Sequence, residues 1–224
     1  MADYWFRTRK PSRVPLITLA LAAVMLVVAG LQATRQWDSG LLQDWGLVPR
    51  AFWDGQAAFW RSGEATRMIS ALFLHAGWAH LLGNLVYLAL FAPRVELAMR
   101  RFPFLCFVLF CGVLANLFAA YQDQDSLAPI VGMSGMVSAV MGAFLAFFPR
   151  DRVGIILPLG LYFQFIRIPA TALIGSWFLF QVLYTFFGDR LGTVAWWTHI
   201  AGFVSAFLLA LPLRFLIPAG SRRR

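Results

Sequence analysis

The chain has 224 residues, of which 60% are apolar, 16% are aromatic and only 13% are charged. A soluble domain of this size carries about 25% charged residues and does not contain long uncharged runs. The composition therefore excludes a soluble globular domain and predicts an integral membrane protein. The net charge of +9 would by itself fit nucleic-acid binding, but its distribution along the chain indicates membrane topology instead.

Six apolar windows, each about twenty residues long, predict six transmembrane helices: 14–31, 72–91, 102–121, 131–148, 170–187 and 195–217. We expect an all-α polytopic membrane protein with one membrane domain, 14–217, between a basic arm, 1–13, and a basic tail, 218–224. The first window is longer than the apolar part of a signal peptide, which favours a retained helix over a cleaved signal. An apolar stretch at 153–168, broken by Pro158 and Gly160, predicts an interfacial segment rather than a seventh span.

The charges sort by side of the membrane. If the N-terminus is cytoplasmic, the inner side receives fourteen basic and three acidic residues, a net +11, and the outer side five basic and seven acidic, a net −2. This is the positive-inside pattern, with both termini in the cytoplasm. We therefore expect a multi-pass protein of the bacterial cytoplasmic (inner) membrane, with the lipid bilayer, and not nucleic acid, as its surroundings.

The longest connection, residues 32–70, is expected on the outer side. It is not a polar linker, because it carries Trp37, Trp45, Trp53 and Trp60 among aliphatic residues. Tryptophan prefers the headgroup level, so the loop is expected to lie half-sunk in the outer interface. It can serve as an anchoring belt, as a brace for a functional site, or as both.

The window 131–148 opens with a serine at the mouth of a small-residue face. Ser134 follows Gly132, and the stripe of small residues behind it consists of Gly135, Ala139, Gly142 and Ala146. At 3.6 residues per turn these four share one side of a helix, which permits close approach of a neighbouring helix. The serine by itself is either a helix cap or a nucleophile, and capping is the more common role.

All three histidines lie in or at the mouth of predicted membrane helices, where ionisable groups are costly and usually functional. His199 heads a second small stripe, which continues through Gly202, Ala206 and Ala210. His80 and Asn84 are four residues apart and share a face of the second helix. His75 is five residues before His80, and no acidic residue or cysteine accompanies them, so the pattern indicates no metal site.

Packing of the two small stripes would bring Ser134 and His199 together at the outer ends of their helices. That pair is a nucleophile and a general base. No acidic residue lies at that level of the predicted helices 72–91, 131–148 and 195–217, so we infer a dyad and not a triad. His80 and Asn84 are then natural donors to a developing oxyanion, and no cofactor is required.

This ordered set of residues resembles the rhomboid intramembrane serine proteases. The resemblance rests on the histidine–asparagine motif, on Gly132-x-Ser134-Gly135 and on His199-x-x-Gly202, and it extends over nearly the whole chain from the sequence Gly-Leu-Val-Pro at 46–49. It implies a six-helix rhomboid-like bundle with Ser134 as nucleophile, His199 as general base and acid, and an oxyanion site of His80, Asn84 and the Ser134 backbone N–H. The fifth helix and the loop after it would form the gate and cap through which a substrate helix enters.

Four positions depart from the family pattern, in three places. Thr66 replaces a tryptophan before Arg67, and Thr198 and Ala206 replace an alanine and a glycine around the histidine. Ser138 replaces an aromatic residue that packs on the catalytic histidine. We therefore predict that His199 is held more loosely, and that an aromatic residue at 138 would preserve or raise activity unless a neighbour already fills the space.

The function predicted from these features is hydrolysis of a peptide bond in or near the transmembrane segment of membrane-protein substrates. The alternative is a proteolytically inactive rhomboid-like binder or chaperone that grips client helices, against which the intact Ser134 and His199 argue. A transporter would require intramembrane carboxylates or paired repeats, and the sequence has neither.

Overall fold

The computed structural model describes residues 14–54, 63–159, 162–187 and 196–216. The elements in chain order are α1 (Leu16–Thr34), α2 (Ser39–Trp45), α3 (Pro49–Asp54), α4 (Glu64–Ser70), α5 (Trp78–Met99), α6 (Arg101–Gln122), α7 (Ser134–Phe147), β1 (Arg152–Leu159), β2 (Tyr162–Pro169), α8 (Ala170–Phe187) and α9 (Trp196–Leu213), followed by one 3₁₀ turn, Arg214–Leu216. The predicted arm at 1–13 and the tail from 218 lie outside the described residues.

Within the described part of the chain, five helices are long and apolar enough to cross a membrane: α1, α5, α6, α8 and α9. The sixth, α7, has only 14 residues, and all of them are buried except Ser134 and Leu145. A helix of that length spans about 21 Å, against about 30 Å for the hydrocarbon core. The six-helix bundle predicted from the sequence is confirmed, and its central helix, α7, is too short to cross the hydrocarbon core by itself.

The bundle is built around the contact of α7 with α9, its largest helix–helix interface. A methyl group added at Gly202 would overlap the carbonyl oxygen of Gly135, and one added at Gly142 would overlap the Phe203 carbonyl. Ala206 and Ala210 are also buried. The backbones therefore approach as closely as the two small stripes predicted, because no side chain separates them.

The end of the bundle remote from Ser134 is fixed by a buried carboxylate. Glu96, near the end of α5, is 1% exposed. Its oxygens accept hydrogen bonds from the backbone N–H groups of Ile17 (3.0 Å) and Thr18 (2.8 Å) and from the Thr18 hydroxyl (2.7 Å). The first N–H groups of a helix lack partners within it, so Glu96 caps α1 from another helix.

Strands β1 and β2 pair as an antiparallel hairpin, in which Arg152 is opposite Pro169 and Leu159 is opposite Tyr162. The sequence predicted an interfacial segment and no seventh span, but it did not predict strands. Tyr162, Phe163 and Phe165 are all exposed, so the start of β2 carries uncovered aromatic side chains, and exposure alternates along the strand only from Ile166 onward. It lies at the same end as Glu96, because Asp151, just before β1, pairs with Arg94 of α5 at 2.8 Å.

Candidate active site

Ser134 is the first residue of α7 and is not its cap. The N-cap position is Met133, which has no side-chain capping bond, and the Ser134 hydroxyl makes no hydrogen bond within the described part of the chain. Ser134 is half-buried, whereas the residues on either side of it are buried. The capping role left open by the sequence is therefore not the one that the structure displays, and the hydroxyl is available for chemistry.

The turn that precedes Ser134 requires glycine at position 132. Gly132 has φ +119°, a conformation that favours glycine, and a Cβ there would lie 2.6 Å from His80 Cε1 and 2.7 Å from His80 Nε2. The same point is 3.6 Å from Ser134 Oγ. The His80 ring and the Ser134 hydroxyl thus border one small space, which exists because residue 132 has no side chain.

The long loop braces this turn. Leu47 and Ile130 form an antiparallel bridge, with N–H to O distances of 3.1 and 2.8 Å, and the Gly132 N–H donates to the Ala71 carbonyl at 2.8 Å. The non-helical backbone before α7 is therefore satisfied by protein, as it must be at membrane depth. The brace function considered for the loop is present, and Trp53 adds a further link by donating to the Ala120 carbonyl at 2.8 Å.

His199 lies in the first turn of α9, facing the first turn of α7. A Cβ at Gly135, next to Ser134, would lie 2.9 Å from Thr198 Cγ2, next to His199, which brings the two turns together. The structure has no direct Ser134–His199 hydrogen bond among the described residues. Instead, His199 Nδ1 lies 2.6 Å from Oε1 of Gln181, on α8. An amide oxygen only accepts, so Nδ1 carries the proton and the other ring nitrogen, Nε2, keeps its lone pair.

His80 has the opposite tautomer. Its Nδ1 accepts a long hydrogen bond, 3.4 Å, from the backbone N–H of Ala76. Nε2 therefore carries the proton, and Nε2 is one of the two ring atoms that face Gly132 and Ser134. The geometry thus directs an N–H donor toward the space beside the serine hydroxyl.

Asn84 and His75 are buried polar residues near the start of α5, one turn after His80 and in the turn before the helix. Asn84 is 6% exposed, and its Nδ2 has no hydrogen-bond partner within the described residues. His75 packs edge-on against His80 with ring centroids 5.3 Å apart, and its backbone N–H and C=O are both held by the Gln32 amide. The His75 ring is buried, and neither of its nitrogens has a hydrogen-bond partner among the described residues.

The packing partners of His199 differ from those that the sequence suggested. Trp177 of α8 and Trp196 of α9 each lie with ring centroids 6.0 Å from the His199 ring. Ser138 is 1% exposed, and its hydroxyl donates to the Ser134 carbonyl at 2.6 Å. A neighbour therefore already supplies the aromatic contact, which was the exception that the sequence prediction allowed.

The sequence did not predict that α8 contacts His199 through a hydrogen bond and through an aromatic ring. Gln181 and Trp177 are four residues apart and reach His199 from another helix, so no motif around the histidine reveals them. The available signal was that Gln181 is the one amide side chain in the apolar window 170–187. A buried polar group in a membrane helix needs a partner, and here the partner is the imidazole. The loop that would follow as the cap, 188–195, lies outside the described residues.

Comparison with known proteins identifies the family of the chain. The family model described as "Rhomboid domain" matches residues 62–215. The chain is 27% identical over 151 residues to "Putative rhomboid protease YdcA" of Bacillus subtilis, covering 66% of this chain and 67% of that protein. It is 31% identical over 137 residues to "Rhomboid-related protein 2" of Mus musculus, covering 60% and 42%, and 30% identical over 87 residues to "RHOMBOID-like protein 5" of Arabidopsis thaliana, covering 38% and 27%.

Proposed function

Because the chain belongs to the rhomboid family of membrane proteins, we propose that it is an intramembrane serine endopeptidase. The observation that carries the proposal is the contact between the first turns of α7 and α9, where Gly135, which follows Ser134, packs against Thr198, which precedes His199. The Ser134 hydroxyl has no hydrogen-bond partner among the described residues, and Nε2 of His199 is the ring nitrogen that Gln181 does not engage. A serine and a histidine so arranged suit acyl transfer.

Ser134 and His199 would act as a dyad. The Ser134 Oγ attacks the carbonyl carbon of the scissile peptide bond while its proton passes to His199 Nε2. The tetrahedral intermediate collapses when His199 returns that proton to the leaving nitrogen, which leaves an acyl-enzyme ester on Ser134. A water molecule, deprotonated by the same nitrogen, then hydrolyses the ester and restores the free hydroxyl.

The negative oxygen of the intermediate needs preorganised donors. The His80 Nε2–H borders the same small space as the Ser134 hydroxyl, and Asn84 has an amide N–H₂ with no partner among the described residues. The Ser134 backbone N–H is one of the first N–H groups of α7, which have no acceptor within the helix. These three donors form the proposed oxyanion site.

The proposed substrates are transmembrane segments of other membrane proteins. Because α7 is too short to span the hydrocarbon core, Ser134 at its start would lie below the membrane surface, and the scissile bond would have to reach it at that depth. Peptide bonds inside a helix are shielded by their hydrogen bonds, so a locally unwound stretch of small residues would be preferred. With both termini in the cytoplasm, as the charge distribution favours, cleavage would occur near the outer face of a bacterial inner membrane.

The test is reaction of the full chain in detergent with a serine-directed fluorophosphonate probe, beside cleavage of a model transmembrane substrate. Wild type is expected to react at one serine and to cleave the substrate. Ser134→Ala is expected to lose both activities, and His199→Ala to lose both while keeping its melting temperature. Ser205→Ala serves as the matched control, because Ser205 is half-buried on α9 and its hydroxyl donates to the Gly202 carbonyl, away from the site.

Cleavage by Ser134→Ala at the wild-type rate would refute the dyad. A wild type that binds transmembrane peptides but neither reacts with the probe nor cleaves would be the inactive binder and not the protease. If Ser205→Ala also lost the reaction with the probe, the loss in Ser134→Ala would reflect damage to folding and not removal of the nucleophile.

A further inference from the structure

The Nδ1 atom of His199 forms a hydrogen bond with a neutral amide, that of Gln181. Gln181 lies in α8, which contains neither residue of the proposed dyad. Gln181 is 7% exposed, and its Oε1 lies 2.6 Å from His199 Nδ1. A histidine base requires one defined tautomer, because only the nitrogen without a proton can accept one from the serine. The contact therefore settles which nitrogen is available for Ser134.

The direction of the Gln181 amide is itself fixed by α8. Its Nε2–H donates to the Trp177 carbonyl one turn earlier, at 3.4 Å. If the amide were rotated by half a turn, its oxygen would face the Trp177 carbonyl oxygen, and neither oxygen could donate a hydrogen bond. Its N–H₂ would then face His199 Nδ1, which would have to give up its proton in order to accept. Both amide groups are satisfied only when the oxygen faces the histidine.

The same turn of α8 also holds the plane of the imidazole. The Trp177 ring lies 6.0 Å from the His199 ring at an interplanar angle of 42°. Trp177 and Gln181 are one helical turn apart, so α8 presents an aromatic surface and a hydrogen-bond acceptor to the same ring. The imidazole is held by its face and by its edge.

We propose that Gln181 is the positioning residue of the base: it holds His199 in the tautomer that leaves Nε2 free for the Ser134 proton, the role that a carboxylate has in a triad. The proposal rests on the proposed proteolytic function. It adds an orienting residue to the Ser134–His199 dyad, which gives a three-residue arrangement whose third member is uncharged. An uncharged acceptor orients the ring without the cost of a carboxylate at membrane depth.

Three variants of the full chain separate orientation from packing. Gln181→Met keeps the length of the side chain and removes the acceptor. Gln181→Glu keeps an acceptor and adds charge. Thr185→Val, one turn further along α8, removes a hydroxyl that donates to the Gln181 backbone carbonyl at 2.8 Å and leaves the amide untouched.

We expect Gln181→Met to lower kcat by about 10- to 100-fold, the usual cost of removing the partner of a functional histidine, with KM changed less than twofold. Gln181→Glu should recover activity relative to Gln181→Met, with the acid limb of its pH–rate profile moved to higher pH, because a carboxylate stabilises the imidazolium. Thr185→Val should stay within about twofold of wild type, since it leaves the hydrogen bond to His199 intact.

Nitrogen-15 NMR of histidine-labelled protein reads the tautomer directly and does not depend on activity. The chain has three histidines, so His199 is assigned by its loss in His199→Ala. Wild type should have the His199 proton on Nδ1, and Gln181→Met should have a mixture of the two tautomers.

The outcomes divide cleanly. A wild type that does not cleave refutes the proposed function, while its NMR spectrum still decides the tautomer. An active Gln181→Met variant with wild-type kcat and an unchanged tautomer refutes the role of Gln181. Loss of kcat with an unchanged tautomer and a lowered melting temperature would make Gln181 a packing residue, which also overturns the proposal.

Discussion

Individual side chains in this site are placed by partners on other elements and by the turn before α5. Gly132 leaves room for the His80 ring, Ala76 sets the His80 tautomer through its N–H, and Gln181 sets that of His199. The two histidines therefore differ in hydrogen-bonding role: His80 directs an N–H donor toward the space beside Ser134, and His199 keeps one acceptor nitrogen, which the proposed mechanism pairs with the serine. That complementarity is what a nucleophile beside an oxyanion site requires.

At this scale we predict that His80→Ala and Asn84→Ala each lower turnover by about 100- to 1000-fold, the cost of removing one oxyanion donor, while the probe still reaches Ser134. Turnover and melting temperature are measured side by side. Gly83→Ala, on the same helix with nothing within 4 Å of an added Cβ, is the control and should match wild type. Unchanged turnover with a large drop in melting temperature would make these residues structural.

Ser138 gives a second prediction, opposite in sign to the one made from the sequence. Because Ser138 is 1% exposed and Trp177 already packs on His199, Ser138→Phe should overpack the core and cost about 1–3 kcal/mol of stability, with reduced cleavage. Ser138→Ala, which loses only the bond to the Ser134 carbonyl, should be much milder. If Ser138→Phe melts at the wild-type temperature and cleaves as fast or faster, a gap does exist beside His199.

At the level of the helices, α7 and α9 are in direct backbone contact, with no large side chains between them. The glycine and alanine stripes leave little apolar area to bury, so van der Waals contact at close range has to hold the pair together. That closeness also determines the functional geometry, because Ser134 and His199 sit in the first turns of these two helices.

We therefore predict that Gly202→Ala separates the two helices and damages stability and probe reaction together. The added methyl group would overlap the Gly135 carbonyl oxygen, and relief requires the backbones to move. Thermal melting and the labelling rate report the two effects. Gly175→Ala, on α8 with open space around the added Cβ, is the matched control. Wild-type behaviour of Gly202→Ala would mean that the stripes are not in close contact.

The docking of α1 gives a prediction at the opposite end of the bundle. Glu96→Ala leaves two N–H groups and the Thr18 hydroxyl without their acceptor, which should cost about 1–3 kcal/mol. Since Glu96 is remote from Ser134, the labelling rate per folded molecule should not change. Glu96→Gln, which retains one acceptor oxygen, should have an intermediate melting temperature. An Ala variant as stable as wild type would show that α1 does not depend on this cap.

For the whole molecule, the six membrane helices place the start of α1 and the end of α9 at the same end of the bundle, opposite to Ser134. The ion pair of Arg94 with Asp151 and the hairpin with its exposed aromatic residues lie at this end as well. The +11 and −2 charge balance of the two sides predicts that this end of the bundle faces the cytoplasm.

We predict that reporters fused after residue 224 and within the hairpin are both cytoplasmic, and that a reporter at residue 123, after α6, is on the other side. The physical reason is the cost of moving clustered basic residues outward across the membrane. Fusions and thiol-accessibility labelling in whole cells measure the orientation. A cytoplasmic reporter at residue 123 would invert the topology and move the proposed cleavage to the other membrane face.

The sequence by itself determined the membrane class, the six helices and the stripes that pair α7 with α9. Hydropathy and 3.6-residue periodicity are local properties, so they can be read without knowing the neighbours. The same periodicity placed Ser134 and His199 at the heads of their stripes, and from there predicted that they meet.

Only the tertiary structure decided what holds those residues in place. Glu96 reaches α1 across about eighty positions, Leu47 pairs with Ile130, and Gln181 meets His199 because α8 turns that particular face toward α9. A single polar residue in an apolar helix indicates that a partner exists but not which one, since the choice depends on how the helices rotate and pack. The hairpin could not be predicted for the same reason. Its apolar residues fit an irregular interfacial segment equally well, and only the pairing between strands selects the hairpin.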